Sequence, residues 1–330
     1  GDTVGLSESN SLHMTLTNTA PIRRRGLMLA AASAYMAPGW VHSTGRPADI
    51  KAVLDTSCGP LLKAHDVPGL VVGLIQEGQS HFLELGTTAR RGGTAATRDT
   101  IFELGSISKC FTAALAALAH VQGRLNLDQP VGDLLPALRN TPIGMATPMH
   151  LATHTAGGLP LQFPEAVTSN DQAIGYLAAF APMAAPGSVR QYSNPGFGLL
   201  GHATAQAMTA EFGELGRRAL LAPLGLTSTY LQVPGSEVHR HAWGHDRQQR
   251  QVRVRPGAFD AEAYGLKSTA GDMLRWLHML VDPERMPPPL RQAMGCTLIP
   301  RYQAGALQQG MGIGFKRVEL DLMSFARRLD

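Results

Sequence analysis

The 330-residue chain is poor in lysine, cysteine, aromatic side chains and charge. Charged residues make up 16% and aromatic residues 6%, against a hydrophobic fraction of 44%. So apolar a chain is not a solvated disordered segment, and its length suffices for one large core or two closely packed subdomains. The net charge is only +4, and the arginines are scattered rather than gathered in a stripe, which gives no support to a nucleic-acid partner. Three cysteines, Cys58, Cys110 and Cys296, cannot all pair, and their spacing suggests no zinc site. His239, His241 and His245 sit in an Arg- and Gln-rich stretch without acidic or cysteine support. That stretch reads as a surface loop, and neither metal nor cofactor is expected. The apolar run from Gly26 to Ala37 is too short to span a bilayer. It follows Arg23-Arg24-Arg25 and contains Ala32-Ser33-Ala34, a pattern expected of a twin-arginine export signal, with Met14 as the start. Residues 1–47 are therefore expected to be a leader, without a stable membrane anchor, and the destination to be the periplasm.

Scarcity makes one lysine conspicuous. The chain has 16 serines but five lysines, so chance supplies only about a quarter of one Ser-x-x-Lys pair. The pair is Ser106 and Lys109, in Phe102-Glu103-Leu104-Gly105-Ser106-Ile107-Ser108-Lys109. An Ala-rich apolar run from Cys110 to Gln122 follows and predicts a helix. Three residues apart at a helix start, Ser106 and Lys109 can point at one spot. A lysine there is pushed toward its neutral form by the helix dipole and by desolvation. A neutral amine beside a hydroxyl can take its proton and make it a nucleophile. The alternative is an N-cap serine with a solvated lysine.

Tyr192-Ser193-Asn194 forms a second constellation, between Pro186-Gly187-Ser188 and a predicted helix from Phe197 to Thr209. Two apart in an extended loop, Tyr192 and Asn194 project to the same side. A phenol can exchange protons with a lysine, and an amide can hold a substrate carbonyl. A buried tyrosine beside a turn asparagine is the alternative.

With these residues in hand, the chain resembles the class C serine beta-lactamases. The likeness extends to Leu151-Ala152-Thr153-His154-Thr155-Ala156-Gly157-Gly158-Leu159-Pro160-Leu161-Gln162, to Ala242-Trp243-Gly244 and to the block from Pro256 to Thr269 that contains Tyr264. It runs from about Asp49 to Gly314. What it implies is an acyl-enzyme at Ser106, with Lys109 as its proton partner and Tyr192 as a proton shuttle. Gln162 and Asn194 would hold the substrate's side-chain amide, and Tyr264 would form one wall of the pocket. The Ser106 backbone N–H would supply half of an oxyanion hole. The substrate would be a small β-lactam such as a cephalosporin or penicillin, and the protein a monomer. Carboxypeptidases and esterases on the same scaffold share the two short motifs, and a non-hydrolysing β-lactam binder is a third possibility.

The implied fold is α/β (α+β): an antiparallel sheet flanked by helices, beside a helical subdomain. The sequence pattern fits, with a helix from Ala48 to His65 and strands from Gly69 to Gln76 and His81 to Gly86 around a Glu77-Gly78 turn. Residues 48–330 form the enzyme domain: about 105–280 mostly helical, and 290–315, after the Pro287-Pro288-Pro289 connector, returning to the sheet. The family's Lys-Thr-Gly motif is absent, and the text after Phe315 does not align. The C-terminal strands are therefore expected to be missing through truncation or frameshift, with low stability and weak or absent turnover. Val318, Leu322, Phe325 and Leu329 recur at helical spacing, so an amphipathic helix is a possible ending.

Overall fold

The computed structural model describes residues 50–304 and 307–312. The expected leader with its arginine signal, and the spaced apolar residues from Val318 to Leu329, lie outside them.

Helix α1 (Ile50–Ala64) falls within the expected span and leads into an antiparallel hairpin, β1 (Gly69–Gln76) and β2 (Gln79–Gly86). Glu77 (φ 51°) and Gly78 (φ 78°) close it with two left-handed residues. That geometry matches the right-handed twist of the strands it joins. Strand β3 (Ile101–Glu103) then brings the chain to a short 3₁₀ turn, Gly105–Ile107. Helix α2 (Ser108–Val121) follows, apolar all round and buried from Phe111 to Ala119. Ala113, Ala114, Ala116, Ala117 and Ala119 are completely enclosed, and their small side chains let neighbouring helices approach closely.

Helix α3 (Asn170–Ala178) starts in a reciprocal cap between Ser169 and Gln172. Helix α4 (Asn194–Ala207) starts three residues before the predicted Phe197. Ser193 caps it through the Gly196 N–H at 2.9 Å, and Pro195 occupies its first turn, where a missing N–H costs nothing. Strand β4 (Lys267–Thr269) pairs antiparallel with β3. Thr269 caps helix α5 (Ala270–Val281), which packs on β1. Helix α6 (Pro288–Leu298) lies along α2, and β5 (Tyr302–Ala304) pairs with β6 (Leu307–Gln309).

One expectation fails here. Residues 287–289 are not a connector to the sheet: the prolines open α6, the position in a helix where proline is best tolerated. Leu290, Ala293, Met294 and Thr297 recur at three- and four-residue spacing and are buried. The following hairpin pairs within itself, so among the described residues 290–312 add no strand to β1 and β2. Among the described residues the strands form four two-stranded antiparallel pairs, the fourth being Gly244–His245 with Gln251–Val252.

Candidate active site

The 3₁₀ turn and the start of α2 set the first two groups. Lys109 is completely buried, and its Nζ lies 3.3 Å from Ser106 Oγ. The same ammonium donates to Asn194 Oδ1 at 2.6 Å and to the Ala263 carbonyl at 2.7 Å. From the other side, the Tyr192 hydroxyl donates to Ser106 Oγ at 2.6 Å. Three stretches of chain, 106–109, 192–194 and the one ending at Ala263, thus converge on the serine oxygen and the lysine beside it.

Burial tunes these groups in a useful direction. It lowers the Lys109 pKa to about 8, because an ammonium loses hydration that a neutral amine does not need. Burial raises the Tyr192 phenol, while its bond to Ser106 and the nearby Arg190 oppose that. Near neutral pH the phenol is therefore protonated, and a fraction of the lysine is a free amine. That pairing gives a serine both a proton acceptor and a second group able to hand a proton on.

The remaining expected residues connect to this centre through the backbone to different degrees. Asn194 is buried at the start of α4, with its side-chain carbonyl committed to Lys109. Its backbone N–H donates to the Leu161 carbonyl at 3.0 Å, which draws the exposed Gln162 alongside. Tyr264 is half-buried and follows the short helix Asp260–Ala263, whose last carbonyl holds Lys109. A Cβ on Gly257 would stand 3.3 Å from the Tyr264 hydroxyl. Four of the six expected residues, Ser106, Lys109, Tyr192 and Asn194, are thus joined by side-chain hydrogen bonds, while Gln162 and Tyr264 stand next in the chain to Leu161 and Ala263, whose carbonyls accept from Asn194 and Lys109.

Other residues fall elsewhere. Lys267, in the Lys-Ser-Thr run, gives its Nζ to the Leu231 carbonyl at 2.8 Å and the Gly265 carbonyl at 2.7 Å. It lines a separate cavity of about 950 Å³ with Phe111, Leu115, Phe212, Leu220 and Tyr230. The supposed surface histidines divide: His239 is exposed, but His241 is buried, and desolvation lowers its pKa to about 4. The burial of His241 and Ala242 has a cause the polar neighbours hid, since the Ala242 N–H donates to the Ile101 carbonyl at 2.9 Å and pins this stretch to β3. Among the described residues no group of three His, Cys, Asp or Glu could hold a metal ion, and no helix is long and apolar enough to cross a membrane.

Two contributors were missed in the sequence. The Ala263 carbonyl is a backbone group, signalled only by its place before Tyr264. Arg190 donates through Nε to Gln309 Oε1 on β6, a pairing across the chain that no local pattern announces.

Comparison with known proteins agrees with this geometry. The sequence profile of the family described as Beta-lactamase matches residues 54–325. A beta-lactamase of Pseudomonas fluorescens is 39% identical over 264 residues, covering 80% of this chain and 74% of that one. The crystal structure of a class C beta-lactamase from Rhodobacter sphaeroides superposes with a TM-score of 0.74 at 40% identity, covering 79% of this chain and 73% of the other. A structure described as a beta-lactamase/D-alanine carboxypeptidase from Pseudomonas syringae gives a TM-score of 0.77 at 37% identity, with the same coverage. Motifs, geometry and likeness coincide: the chain belongs to the beta-lactamase family, in its class C serine branch.

Proposed function

We propose that this protein hydrolyses β-lactams, cephalosporins and penicillins, through an acyl-enzyme on Ser106. The observation that carries the reading is the serine oxygen held between Lys109 Nζ and the Tyr192 hydroxyl. In acylation, Ser106 Oγ attacks the lactam carbonyl and its proton passes to the neutral amine of Lys109. The C–N bond of the ring breaks, and the Tyr192 phenol relays a proton to the departing nitrogen. Water then attacks the ester, gives up a proton through Tyr192 and Lys109, and returns Ser106 as the free hydroxyl. The Ser106 backbone N–H stabilises the oxyanion, a type of interaction worth about 3 kcal/mol per donor. Gln162 and the Asn194 amide would grip the substrate's side chain, with Tyr264 as a wall.

In this reading the site lies between a helical subdomain of about 105–280 and a sheet subdomain begun by β1 and β2. Export to the periplasm belongs to the same reading and rests on Arg23-Arg24-Arg25 with the apolar run behind it. A carboxypeptidase activity is the second reading, favoured by the description of the Pseudomonas syringae neighbour.

Hydrolysis of a chromogenic cephalosporin, with intact mass of the adduct, tests the proposal. Ser106→Ala should abolish both the adduct and at least a thousandfold of the turnover, while the circular dichroism spectrum is unchanged. Full turnover in that variant would overturn the reading. A kcat/KM higher on a D-Ala-D-Ala peptide than on the cephalosporin would favour the carboxypeptidase.

A further inference from the structure

His154 lies outside the groups used so far, yet it grips the chain on both sides of Tyr192. Its carbonyl accepts the Gln191 N–H at 2.8 Å. Its ring Nδ1 accepts the Ser193 N–H at 3.2 Å. Its ring also lies against the Tyr192 ring, with centroids 4.4 Å apart, and against Phe197 at 4.9 Å. Two backbone bonds bracket the tyrosine, and a third contact supports its face.

The residue is built into this position. It is only 3% exposed, and its backbone is left-handed, with φ 60°. Histidine is among the few side chains enriched in that conformation. The turn that contains it is held by the Thr155 N–H to the His150 carbonyl at 2.8 Å, and the Thr155 carbonyl accepts the Gly187 N–H at 2.8 Å from the segment leading to Tyr192. An imidazole whose Nδ1 accepts must carry its proton on Nε2 while neutral. Lys109 and Arg190 are the cations facing it, and Tyr192 the other titratable group. Burial, together with the two cations, lowers its pKa to about 3, and its Nε2 is buried without a hydrogen-bond partner among the described residues. The acceptor is therefore available throughout the pH range in which the lysine titrates.

We infer that His154 is a positioning residue for proton transfer, a neutral imidazole clamp that holds the Tyr192 hydroxyl at hydrogen-bond distance from Ser106. A filler of the same volume could occupy the space. It could not receive the Ser193 N–H, and that bond fixes the residue between Tyr192 and Asn194. The clamp thereby acts on the phenol and, through the start of α4, on the partner of Lys109.

The kinetic arm of the test rests on the proposed β-lactam acylation. His154→Leu removes acceptor and ring, whereas His154→Asn keeps an acceptor and tolerates the left-handed backbone. In proteins shown to be folded by circular dichroism, the leucine variant should acylate at least tenfold more slowly with KM within twofold. The asparagine variant should recover part of that loss. A second readout needs no activity: the ultraviolet titration of Tyr192, isolated by difference against Tyr192→Phe in each background. It should move away from its wild-type midpoint in His154→Leu, as the phenol leaves its buried place beside Ser106. A folded leucine variant with unchanged titration would overturn the clamp, as would one with an unchanged acylation rate. If the wild type formed no adduct, the proposed function would fail, and the tyrosine titration would still decide the role of His154.

Discussion

Helix α2 and strand β1 are packed very differently. In α2 every residue from Phe111 to Ala119 is buried. In β1, a run of Leu70, Val71, Val72, Leu74 and Ile75 as apolar as any in the chain, every residue is only half-buried. So continuous an apolar strand is the pattern of one covered on both faces, yet among the described residues its paired neighbour is β2 alone. The difference teaches where the chemistry is anchored. Ser106, Lys109, Tyr192, Asn194 and Ala263 belong to the closely packed helical body, and none of their mutual bonds passes through the hairpin.

Truncating each region puts that contrast to its hardest test. Leu199 in α4 is fully enclosed, so Leu199→Ala should cost about 2–5 kcal/mol. Val72→Ala in β1 should cost about 1 kcal/mol, less than a fully enclosed side chain, because part of its surface already faces solvent. Chemical denaturation of both variants measures the gap, and equal losses would break the comparison. The leucine variant should also slow acylation, and the valine variant should leave it unchanged.

A second test lies inside the packed body. Glu262 is 5% exposed, and burial raises its carboxyl pKa to about 7, with Asp260 and Glu211 adding to the effect. Between pH 4.5 and 7 the folded protein holds a proton that the unfolded chain releases, so stability falls as pH rises through that window. Glu262→Gln removes the effect. The melting temperature of the variant minus that of the wild type should be near zero at pH 5 and positive at pH 8, corresponding to at most about 3 kcal/mol. No difference between the two pH values would mean that the carboxylate is hydrated in the native state.

The smallest effect is the most local. With Lys109 as base, kcat/KM should climb close to tenfold per pH unit from pH 6 and level off above about 8. A stopped-flow acylation profile that stays flat from pH 6 to 9 would remove Lys109 from that role.

Much of this was legible in the chain because it was written locally. The hairpin follows from two strand-forming runs on either side of the Glu77-Gly78 turn, and α2 from an unbroken apolar run. Ser106 and Lys109 met because three residues at a helix start put them on one face, and Tyr192 and Asn194 because an extended Ser193 lies between them. What escaped was non-local or ambiguous. Three prolines signal a stiff connector and a helix N-terminus equally well, and the buried spacing of Leu290, Ala293, Met294 and Thr297 decided between them only once α2 was there to cover it. His154 stood within a recognised block, but a clamp made from a carbonyl and a ring nitrogen has no periodicity to find. Gln309 meets Arg190 across 119 positions, beyond any motif.

Lys109 is joined to Asn194 across 85 positions and to the Ala263 carbonyl across 154. Loops of that length close late, after local structure has formed, since their entropy is lost before any contact compensates it. A reactive site assembled at the last step of folding is a census device. A slow-leaving β-lactam mixed with a refolding sample would label only those molecules in which both long loops have closed, and the mass spectrum would count completed chains as they appear.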